Sequence, residues 1–239
     1  MIKIIVTFMI AAALVNAAVL PAVNVDTAVI RIISNLAPNQ GAFLPAFKCV
    51  DRNNGAGFAA FASFATAGPG TRDYCNKWVY APSRARALYC GSNHGAPHKF
   101  NDVWEYDLAS NTWVMLHKPD SGVVPCHTWW GLTYDRKRDE LLWASGGGCG
   151  SWVDWHVYKP FQPENGWTVK TFSNAAPGIG LGGAFEYIPD QDKLIWYFND
   201  WASPGMRSLD PLTGSWSTLI AGSLLYGSCP TCKTSPAYE

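Results

Sequence analysis

Five histidines and a set of tryptophans are the residues of this chain whose chemistry reaches beyond packing. His94, His98, His117, His127 and His156 offer imidazoles for proton transfer, hydrogen bonding or metal ligation. Trp129, Trp130, Trp152, Trp155 and Trp201 offer flat faces on which sugar rings stack, and Asp154, Asp200 and Arg72 accompany them as directional partners. Such a mixture suits a surface that binds a glycan or a protein. No HExxH, GxSxG or phosphate-binding loop occurs, so no motif marks a reaction. The packing alternative is that Trp129 and Trp130 alternate on an inner strand and that Trp155 fills a core.

The elements that would position these residues follow from a repeat. Tyr80, Tyr134 and Tyr187 each open the same phrase, an aromatic, a turn, and an apolar pair ending in an aromatic: Leu88-Tyr89, Leu142-Trp143 and Ile195-Trp196. The steps are 54 and 53 residues, the size of a repeat unit read as one supersecondary structure. Period-two alternation predicts four strands per unit. They are Lys77 to Tyr80, Ala87 to Gly91, Asp102 to Asp107 and Thr112 to Leu116 in the first unit. The second has Thr128 to Tyr134, Glu140 to Ser145, Val153 to Lys159 and Gly166 to Thr171. The third has Gly182 to Tyr187, Lys193 to Phe198, Gly205 to Leu209 and Ser215 to Ile220. Four short antiparallel strands per unit make a propeller blade.

The phase of the repeat assigns loops to faces. Connections between strands two and three, and from one blade to the next, share one end; the two hairpin turns share the other. His94, His127, Trp129, Trp130, Trp155, His156, Asp200 and Trp201 fall toward the loop end and form the candidate binding surface. The hairpin turns, such as Arg136-Lys137-Arg138 and Asp190-Gln191-Asp192, read as ordinary solvated turns.

Composition supports an ordered, exported, β-rich chain. Aromatics are 14% and charged residues 15%, with 12 Trp, 22 Gly and 16 Pro. Formal charge is zero and the pI about 6.9, which leaves no electrostatic footprint for nucleic acid. Residues 1 to 17 read as a signal peptide, with Lys3, the apolar run Ile4 to Leu14 and small residues at Val15-Asn16-Ala17. That run is too short to span a bilayer, so a secreted or periplasmic location is expected. Export makes the seven cysteines disulfide candidates. Cys126 with Cys149, Cys75 with Cys90, and Cys229 with Cys232 are the expected pairs, and an odd count leaves one cysteine over.

Asn101-Asp102-Val103-Trp104-Glu105-Tyr106-Asp107-Leu108, followed by Asn111-Thr112-Trp113, resembles the second half of a kelch blade. Leu209 and Trp216 keep the Tyr106 to Trp113 spacing, and Gly146-Gly147 stands near the kelch Gly doublet. The resemblance covers residues 77 to 220 and implies an all-β, kelch-like β-propeller with three clear four-stranded blades. Residues 18 to 76 form an N-terminal segment, a candidate degenerate blade in which Ala28 to Ile33 reads as a strand; residues 77 to 239 hold the blades. The expected function is a binding module for a glycan or protein, with no cofactor.

The same resemblance opens an enzymatic alternative, a copper radical oxidase of the galactose-oxidase type or a polysaccharide lyase. His94, His127 and His156 with Tyr80 or Tyr158 would then ligate copper, while His127 and Arg72 would serve a lyase. A further alternative is a structural component of a surface assembly. Kelch rings usually close with six or seven blades, so three units imply a fragment or an open arc whose edges pair with another copy.

Overall fold

The computed structural model describes residues 24–51, 69, 77–91, 101–120, 122, 125, 128–144, 154–174, 183–198 and 205–220. Three antiparallel four-stranded sheets follow one another along the chain. The first blade comprises β2 (Val79–Ala81), β3 (Arg86–Cys90), β4 (Val103–Asp107) and β5 (Thr112–His117). The second comprises β6 (Leu132–Asp135), β7 (Glu140–Trp143), β8 (Asp154–Tyr158) and β9 (Trp167–Thr171). The third comprises β10 (Gly183–Ile188), β11 (Lys193–Phe198), β12 (Gly205–Leu209) and β13 (Trp216–Ile220). First strands of successive blades touch, β2 against β6 and β6 against β10, so they are the innermost strands of a propeller arc.

Period two decides which side chains enter which seam. In blade 2, Leu141 and Trp143 face blade 1, where they meet Val79, Leu88, Cys90 and Val114. Their neighbours Leu142 and Ala144 face the other way and join Phe185, Tyr187, Leu194 and Trp196 of blade 3. The middle sheet thus buries both faces.

The turns show why the repeat phrase is periodic. Position five after each leading Tyr is left-handed: Ala85 at φ 51°, Asp139 at 53° and Asp192 at 49°. Asp tolerates this region better than most residues. Its carboxylate also has a task there, because Tyr134 Oη bonds Asp139 at 3.2 Å and Tyr187 Oη bonds Asp192 at 2.9 Å. The kelch-like spacing has a similarly simple origin. Tyr106 and Trp113 are direct cross-strand partners, as are Leu209 and Trp216, across turns whose left-handed residues are Asn111 and Gly214. Tyr158 and Trp167 occupy the same relation in blade 2 across a longer turn.

Two strand expectations are corrected. Ala28 to Ile33 is helical, within α1 (Thr27–Ser34), because Asp26 caps its first turn by accepting from the Ala28 and Val29 amides at 3.0 and 3.2 Å. The predicted strand from Thr128 begins instead with a helical turn, α2 (Thr128–Gly131), and becomes extended only at Leu132. From the 18–76 segment, β1 (Lys48–Asp51) joins blade 1 as a fifth strand, parallel to β5 with Cys49 opposite Trp113. It covers the outer edge of that sheet. Among the described residues no helix is long and apolar enough to cross a membrane.

Candidate functional site

The hairpin turns and the inner strands differ in how their polar groups are used. At the hairpin end they are consumed by one another. Arg138 of blade 2 bonds its own Asp135 at 2.6 Å and forks onto Asp192 of blade 3 at 2.7 and 2.8 Å, with Lys137 adding a contact at 2.7 Å. Ser83 of blade 1 bonds Asp139 of blade 2 in the equivalent place. The Arg138 fork, then Lys137 and Tyr187, holds the Asp192 carboxyl far below the usual range against a smaller effect of burial. Burial pushes the Tyr187 phenol up to about 12, helped by Asp192. The expectation of plain solvated turns at this end is corrected: these side chains lock neighbouring blades.

Midway along the inner strands, behind those turns, a second polar group gathers. Lys77, entering β2, pairs with Glu186 of β10 and donates to the Phe185 carbonyl at 3.3 Å. Thr133 of β6 bonds Glu186 at 3.2 Å and accepts from the Tyr187 amide at 3.1 Å. Each of the three blades therefore brings one polar residue to this group, Lys77 from just before β2, and Glu186 remains half-exposed. Beside this group stands α2, which packs against β10. It is fixed at both ends, by the Thr128 hydroxyl on the Cys90 carbonyl at 3.2 Å and by the Ala144 amide on the Gly131 carbonyl at 2.9 Å. Gly131 is needed there, since a Cβ would lie 2.3 Å from the Ala144 carbonyl oxygen.

The structure distributes the predicted site residues unevenly. Trp129 and Trp130 lie on α2. Trp155 is 1% exposed within the seam between blades 2 and 3, its ring 6.4 Å from Phe172. His156 is 5% exposed and packs 4.7 Å from Trp143 on the face toward blade 1. Burial lowers its pKa to about 4, with Asp154 opposing. His94, His127, Asp200 and Trp201 lie outside the described residues, as do Cys75, Cys126, Cys149, Cys229 and Cys232; Cys90 is buried at the end of β3.

His117 sits in the seam between blades 1 and 2. Its ring is 5.8 Å from Tyr158, and Nε2 lies 3.1 Å from Asp120 without the alignment of a hydrogen bond. Burial raises the Asp120 pKa, but hydrogen bonds from Asn101 and the Gly122 amide, with His117, bring it below the ordinary value. Among the described residues, no group of three or more His, Cys, Asp or Glu is arranged to hold a metal ion. Sequence reasoning missed Lys77, Thr133 and Glu186, because their proximity comes from three separate units.

No protein-family model and no curated protein matches this sequence. Solved structures resemble parts of it at low identity. They include TolB from Acinetobacter baumannii (17% identity, TM-score 0.39, covering 60% of this chain and 31% of that one). A nidogen/laminin complex gives 12% identity and TM-score 0.41 over 60% of this chain and 47% of that one. A protein of unknown function from Bacteroides thetaiotaomicron gives 14% identity and TM-score 0.41 over 60% and 32%. The chain thus spans less than half the length of each of these three. The blade assignment rests on the strand pairing above.

Proposed function

We propose that this chain is an exported, kelch-type propeller that binds a glycan or protein partner at the loop end of its axis. The observation that carries the reading is the contrast between the hairpin turns and the inner strands behind them. Charged side chains at the hairpin end are spent on the blade-to-blade contacts of Asp139 and Asp192. Midway along the inner strands, Glu186 stays half-exposed with Lys77 and Thr133, and the fixed turn that carries Trp129 and Trp130 packs against β10 on the loop side. Aromatic residues in company with directional polar groups suit sugars and peptide surfaces alike.

The test is a glycan array probed with the mature chain, followed by Trp130→Ala and Lys77→Gln. Binding weakened about tenfold by both, with Tm changed by only a few degrees, supports the glycan branch. A silent array together with a protein partner crosslinked to residues 128–131 supports the protein branch. Crosslinks confined to the hairpin turns overturn the reading.

A further inference from the structure

The outer faces of the first and third blades carry two halves of a seam that the interior of the arc closes twice. On the incoming side, Tyr134 and Tyr187 are buried against the preceding blade, at 4% and 8% exposure, while the equivalent Tyr80 is 57% exposed. Two residues earlier, Leu132 and Phe185 are fully buried, while Trp78 is 50% exposed, lying edge-on over Tyr89, Tyr106 and Trp113. On the outgoing side, Leu88 and Cys90 of blade 1 and Leu142 and Ala144 of blade 2 are fully buried in their seams. Their blade 3 counterparts, Ile195 and Tyr197, are only partly buried, and Leu219 on the same face is exposed. Both faces thus keep seam chemistry.

The turns show which partner fits. In the closed seams the outgoing turn supplies a donor, Ser83 or Lys137 with Arg138, and the incoming left-handed residue is the carboxylate Asp139 or Asp192. At the open faces both members have changed. The outgoing turn of blade 3 carries Asp190 and Gln191, and the incoming residue of blade 1 is Ala85. A carboxylate at Asp190 would repel an incoming Asp; opposite Ala85 it meets none. The two changes compensate each other.

We infer that blade 3 of one copy docks on the Trp78 and Tyr80 face of blade 1 of a second copy, so that the three described blades of each copy close a six-bladed ring. Blade 3 onto blade 1 is a head-to-tail contact, which closes when the rotation per copy allows it and otherwise extends. Six blades lie within the usual range for closed propellers. This inference stands apart from the loop-end binding reading.

Light scattering and sedimentation equilibrium of the mature, oxidised chain over the micromolar range test it. The expected result is a mass of two copies. Tyr80→Glu, at an exposed position, should give single copies. Ala85→Asp should weaken association about tenfold while leaving the fold intact, since Asp tolerates a left-handed turn. Adding Asp190→Lys to Ala85→Asp should restore the two-copy mass, a rescue that a merely destabilised blade would not show. A single-copy mass throughout the range overturns the inference. So does a two-copy mass insensitive to both Tyr80→Glu and Ala85→Asp, and a mass beyond two copies overturns ring closure.

Discussion

Arg138 of the second blade grips Asp192 of the third with both terminal nitrogens, at 2.7 and 2.8 Å, and so joins two sheets through their turns. A carboxyl held this far below its ordinary pKa stabilises the fold above the unfolded value, and that stability is lost as pH falls toward the folded value. Asp192→Asn should lower Tm by a few degrees at neutral pH and flatten the decline below about pH 4. Thermal unfolding from pH 7 to pH 2 checks both. Asp210, brought to about 2 first by Lys193 and then by turn amides, adds a decline over the same acid window that persists in this variant.

Arg84 and Glu105 form a buried ion pair, with Nε and Nη2 at 2.9 and 2.7 Å from one carboxylate oxygen and the guanidinium 4.6 Å from the Phe161 ring. Removing one partner strands the other charge. Arg84→Met should cost about 3–5 kcal/mol, and Glu105→Gln in the same background should recover a substantial part of it. Denaturant titration of the two singles and the double closes the cycle.

His156 titrates against the fold. Its folded pKa, lowered by burial to about 4, lies below the unfolded value, so the unfolded chain binds the extra proton first as pH falls. Stability should decline from about pH 6.5 to pH 4, by at most about 3 kcal/mol, and this contribution should level off below. His156→Gln should remove that part of the pH dependence. Proton NMR of the His156 ring should show it neutral at pH 5.

Gly131 holds α2 against the Ala144 carbonyl, with no room for a methyl group. Gly131→Ala should shift the turn and weaken loop-end binding more than the milder Thr128→Val, which removes one hydrogen bond worth about 1 kcal/mol. Comparing binding with Tm for the pair separates displacement of the turn from general destabilisation.

Much of the blade structure was legible in the residues. The Tyr80, Tyr134 and Tyr187 phrase marked each inner hairpin, and the Tyr106 to Trp113 spacing marked an outer one, because cross-strand pairing and turn length are local. Two local readings went differently. The Ala28 to Ile33 run is helical because the Asp26 cap outweighs its β-branched content. Thr128 to Gly131 is helical where alternation predicted strand; its ends are held by Cys90 and Ala144, both distant in sequence.

By itself the sequence determined the period and the four-stranded order of each unit, since these depend on alternation and turns within about 50 residues. Only the tertiary structure decided which polar residues meet. It drew Lys77, Thr133 and Glu186 together midway along the inner strands, buried His156 and Trp155 in the seams, and turned the Asp192 turn into a lock for Arg138. The physical reason is that seams and axis are contacts between units. A repeat specifies each unit alike, and only their packing shows which copy of a position is covered and which stays open.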